Sequence, residues 1–128
     1  MLFTTKHNRH IIIPLEQVPS SSPLTPEKRL AMAMFILPLQ DLNLETKIKA
    51  AKEFFVLTKT KVFKEARVIE ALNYIFIEQD YFLSFDHCCE YLGMDSSSVK
   101  RSIKTLLEEH DNLEILAVYR HWAREQDN

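Results

Sequence analysis

Three groups of side chains in this 128-residue chain are of types that could do chemistry. His87, Cys88 and Cys89, with His110 further on, offer the imidazole and thiolate donors that zinc takes. Three consecutive helical residues point in different directions, and no second pair of ligands follows at a zinc spacing, so no metal site is expected. Lys6, His7, Arg9 and His10 form a basic cluster that an extended arm could lay in a DNA minor groove, although terminal clusters are commonly just solvated. The third group is Ser96, Ser97, Lys100, Arg101 and Lys104, short hydroxyls followed by three cations with no acid between Ser96 and Leu107. Serines at a helix N-terminus can donate to phosphate beside the backbone amides. Arg101 can bond bidentately to guanine, and Lys100 or Lys104 can pair with phosphate. No paired carboxylates and no nucleophile-base set are evident, and a glycine-rich phosphate loop is excluded because Gly93 is the only glycine. The chain is therefore not expected to be an enzyme or to need a cofactor.

The elements that would position the third group follow from the residues around Gly93. Ser84 is placed to cap a helix, "FDHCCEYL", that ends at Gly93, where a positive φ carries no steric penalty. Asp95 is placed to cap the next helix, "SSSVKRSIKTLLEE", whose Val99, Ile103, Leu106 and Leu107 form a buried side. Two helices joined by so short a turn must cross steeply, the geometry of a helix-turn-helix over about 84–107 whose second helix, about 96–107, enters the major groove. Cys89, four residues before the glycine, supplies the small side chain needed at the crossing.

The rest of the chain reads as support. Residues 1–25 form an extended arm and linker, in which "IIIPL" can add as a short extended segment and "VPSSSPLTP" lacks helical periodicity. A helical domain then spans 26–128. Thr25 caps a first helix with Pro26 in its first turn, and the helix is expected to break near Pro38. A second helix is expected over "LNLETKIKAAKEFFVL", capped by Asn43, with Ile48, Ala51 and Phe55 on one row and Ala50, Phe54 and Leu57 on another. A third, "VFKEARVIEALNYIFIEQ", carries Val62, Ala66, Ile69, Leu72 and Phe76 as its main stripe and Val68, Ala71 and Ile75 as a second row, which makes it the central helix. The segment from Leu113 to Asn128 is a last helix or a strand, with Tyr119 and Trp122 able to anchor an interface or pack back on the bundle. With no glycine-bounded alternating run, the fold expected is all-α, a small helical bundle containing a helix-turn-helix.

Composition narrows the function classes. Apolar residues make up 46% and charged residues 27%, and no apolar run approaches the roughly 20 residues of a membrane helix, so a soluble protein without membrane association is expected. The run before Pro14 is too short for a signal-peptide core, and adjacent Cys88 and Cys89 would form a badly strained disulfide, which points to reduced thiols and the cytoplasm. A net charge of -2 gives no overall attraction to nucleic acid, so any such binding must use a local basic face.

The segment "EALNYIFIEQDYFLSFDHCCEYLGMDSSSVKRSI", Glu70 to Ile103, resembles a group of small, mostly uncharacterised bacterial and phage helix-turn-helix proteins. They share an alanine-containing helix, an acidic-aromatic link, an "SF...C..LG.D" segment and a "V+R..I/L" helix. The resemblance implies binding of duplex DNA in transcription or phage-related regulation through Arg101 and its neighbours. Ser102 departs from it, standing where many such sequences are apolar, with Ile103 in the buried place. The rival expectation is a helical protein-protein interaction module, an accessory or adaptor of the transcription machinery, that uses the apolar first helix and the arm without touching DNA. A homodimer would form through the C-terminal end or the methionine-rich first helix.

Overall fold

The structure is a computed structural model, and it describes residues 10–14, 25–50, 53–57, 62–77 and 82–127. Among them the chain forms five helices and three strands. The order is β1 (His10–Pro14), α1 (Pro26–Asp41), β2 (Glu45–Ala50), β3 (Glu53–Leu57), α2 (Glu65–Phe76), α3 (Phe85–Tyr91), α4 (Ser96–Glu108) and α5 (Leu113–Gln126). The mainly helical class expected from the sequence holds, and a small sheet joins the helices. Lys6, His7 and Arg9 of the basic cluster lie outside the described residues.

The β-branched run at β1 suits an extended backbone, and Ile11 and Ile13, two apart and so on one face, are both buried. β1 pairs in parallel with β2, His10 opposite Glu45, after a crossover that contains α1. β2 then pairs antiparallel with β3, Ile48 opposite Phe55, giving the order β1-β2-β3. The helix expected over residues 43–57 is thus a hairpin. "ETKIKA" alternates charged with uncharged residues, and the "FFVL" that follows Glu53 is made of aromatic and branched residues, so the strand period fits these residues as well as the helical one does. Pairing with β1 favours the strand, and no isolated segment could reveal that partner.

Thr25 caps α1 as expected, its hydroxyl accepting from the Lys28 amide at 3.2 Å. The helix does not break at Pro38 but runs to Asp41. Proline's φ suits a helix, but the residue lacks the donor to the carbonyl four residues back and its ring crowds that carbonyl; burial of Pro38, Leu39 and Leu42 offsets this cost and holds the final turn in place. Asn43 closes this helix rather than opening another. It takes φ 53°, and the Leu44 amide returns to the Leu39 carbonyl at 2.9 Å while the Asn43 amide bonds the Gln40 carbonyl at 2.9 Å.

α2 packs against α1 and α5 and touches α3, while α1 packs against α2, α3 and β2, so the two helices share the centre expected for α2 alone. The row it buries is Val68, Ala71, Leu72 and Ile75. From the stripe expected to face inward, Val62 and Ala66 are exposed and Ile69 sits at the edge. Both rows are apolar, and the choice falls to the neighbours. The C-terminal segment is a helix, α5, and it packs back. The Trp122 indole donates to Asn73 Oδ1 at 2.8 Å and lies against Phe76 and Tyr119. Among the described residues no helix is long and apolar enough to cross a membrane.

Candidate nucleic-acid interface

The platform beneath α3 is aromatic. Phe85, its first residue, is buried, stacks on Phe35 of α1 at 5.2 Å between centroids and meets Tyr74 of α2 edge-on at 6.0 Å. The Tyr74 hydroxyl donates to the Leu83 carbonyl at 2.5 Å, fixing the approach to the helix. Ser84 then caps it, accepting from the His87 amide at 3.3 Å.

α3 ends as α1 does. The Met94 amide returns to the Cys89 carbonyl at 2.8 Å, the Gly93 amide bonds the Glu90 carbonyl at 3.0 Å, and Gly93 takes φ 76° between them. Asp95 immediately caps α4, its carboxylate accepting from the Ser98 amide at 3.0 Å and the Ser98 hydroxyl at 2.7 Å. These bonds hold its carboxyl below the ordinary carboxylate range, with Arg101 adding to the effect. Only Leu92 to Asp95 separate the two helices. Cys88 and Cys89 are free and buried. Burial, with the nearby Asp86 carboxylate second, pushes the Cys89 thiol up to about 12, so at neutral pH it behaves as a small apolar side chain.

α4 buries Val99, Ile103, Leu106 and Leu107 as expected. Ile103 is fully buried, whereas Ser102 bonds back to the Ser98 carbonyl at 3.0 Å. The opposite side carries Ser97, Arg101 and Lys104, four and then three residues apart, all exposed. Glu108 continues this stripe one turn on and ends its cationic part. The five residues singled out by sequence therefore separate into two sets. Ser97, Arg101 and Lys104 share the exposed stripe, with Arg101 bonding the Ser98 hydroxyl at 3.3 Å. Ser96 and Lys100 are half-buried, and Lys100 forms an ion pair with Asp86 of α3 at 2.8 Å. The first turn of α4 is also less open to phosphate than the serine run suggests, since Asp95 already occupies the Ser98 donors.

Sequence reasoning did not identify Asp86 as part of this face. It lies 14 residues before its partner, and only the helix crossing brings the two together. His110 has no share in it: the Asn112 amide donates to Nδ1 at 3.0 Å, so the proton sits on Nε2, which donates to the Leu42 carbonyl at 2.7 Å. Away from this face, a shallow groove of about 220 Å³ lies between α2 and α5 and another of about 170 Å³ between α1 and α2. Both are smaller than the roughly 300–1,000 Å³ usual for small-molecule sites. Compared with protein families, curated proteins and solved structures, the chain matches none.

Proposed function

We propose that α3 and α4 form a helix-turn-helix that binds duplex DNA and regulates transcription, with α4 entering the major groove. The observation that carries this reading is the exposed Ser97, Arg101 and Lys104 stripe on a helix held rigidly by the Gly93 turn and the Asp95 cap. Arg101 is the base-reading or phosphate-bidentate residue, and Lys104 and Ser97 take phosphate. Titration of labelled mixed-sequence duplex by the protein, followed by fluorescence anisotropy at several salt concentrations, tests it. Affinity should fall steeply with salt, and Arg101→Glu should weaken it by about tenfold or more. A folded protein that fails to bind at low salt, or an Arg101→Glu variant that binds as well as the wild type, overturns the reading.

A second reading, the helical interaction module, draws on a different surface. α1 leaves Leu30, Ala33 and Leu37 exposed on one row, the leucines at 45% and 47%. Under it, a protein partner would be lost on Leu37→Lys, tolerate Arg101→Glu and respond weakly to salt.

A further inference from the structure

Lys100 sits one position round from the exposed α4 stripe, on the shoulder nearest α3, and its ammonium is 2.8 Å from Asp86 Oδ1. Both side chains are partly covered, at 20% and 32% exposure. Asp86 Oδ1 is closed to solvent and takes no well-directed hydrogen bond among the described residues, so its contact with Lys100 is ionic. An imperfectly oriented ion pair of this kind can be displaced by a competing anion more readily than a bidentate one. Arg101 and Lys104, in contrast, face no carboxylate across the helix crossing among the described residues.

Resting on the DNA-binding reading above, we propose that Asp86 is an internal competitor for phosphate. It holds Lys100 on α3 in the free protein and so limits the number of phosphates the α4 face neutralises. The residue thereby sets both affinity and salt response without touching DNA. Removing its charge releases Lys100 to a backbone phosphate beside the groove.

The test extends the anisotropy titration to Asp86→Asn, Lys100→Gln and the double variant. Each phosphate contact adds about 0.9 to the slope of log affinity against log salt. Asp86→Asn should steepen the slope by about that amount, so that its advantage over the wild type shrinks about threefold between 50 and 200 mM salt. Lys100→Gln should abolish the gain in the Asp86→Asn background and change little on its own. Should Asp86→Asn fold poorly by circular dichroism, the wild-type protein answers instead. Its Lys100 15Nζ resonance should keep its free-protein position on adding duplex while Arg101 resonances shift, because Asp86 retains the ammonium. An unchanged slope in folded Asp86→Asn, or a wild-type Lys100 resonance that shifts with Arg101 on adding duplex, while wild-type binding remains Arg101-dependent, overturns the proposal and leaves the DNA reading standing. Loss of Arg101-dependent binding throughout removes both.

Discussion

Gly93 and Asn43 answer the same demand at the ends of α3 and α1, a left-handed residue at which the chain leaves a helix. A Cβ added at Gly93 would meet nothing within 4 Å, so only backbone conformation selects glycine there. Gly93→Val should therefore destabilise by about 1–2 kcal/mol, and Gly93→Asn by clearly less, as read from urea midpoints. Equal losses for the two would mean that space rather than φ decides. Asp95 carries a pH dependence of definite sign. Its folded carboxyl titrates below the ordinary range, so between the folded and unfolded values the unfolded chain holds the extra proton. The contribution is complete above the unfolded value and is lost as pH falls through the folded one. The stability difference between wild type and Asp95→Asn, measured by urea unfolding across pH, should be constant near neutrality and shrink in acid. Caps of this sort were legible in the sequence because Ser, Thr, Asp and Gly act on amides and carbonyls only a few residues away, and Thr25, Ser84, Gly93 and Asp95 all do what their positions implied. Asn43 shows the limit: one asparagine suits either end of a helix.

Elements were legible where one period dominated. α4 has apolar residues on one side only, and its buried face was readable to the residue. α2 offered two apolar rows, and α1 and α5 chose between them. The β2-β3 hairpin was hidden for a different reason. No usual turn residue stands between Ala50 and Glu53 in the sequence, and the parallel partner of β2 lies 35 positions away, His10 against Glu45. Within β2, Thr46 is fully buried and its hydroxyl takes no hydrogen bond among the described residues. Thr46→Val keeps the branched shape and β preference while removing an unpartnered polar atom, and should stabilise by about 1 kcal/mol in urea unfolding. A destabilised variant would show that the hydroxyl has a partner.

At the scale of the molecule, the net charge of -2 required that any attraction to nucleic acid be local, and the stripe on α4 is local in just that sense: three exposed positions bounded by Asp95 before and Glu108 after. The mainly helical class followed from periodicity alone. The sheet and the Asp86 to Lys100 pair did not, since each depends on segments far apart in sequence meeting through the packing of the others. The fastening of α5 to α2 has a consequence of its own. Trp122, the only tryptophan, is held there by its bond to Asn73 and by Phe76. The tryptophan emission of the chain therefore originates at one joint, and a red shift would report the C-terminal helix lifting away, whether on heating or when a ligand settles on the far side of the bundle.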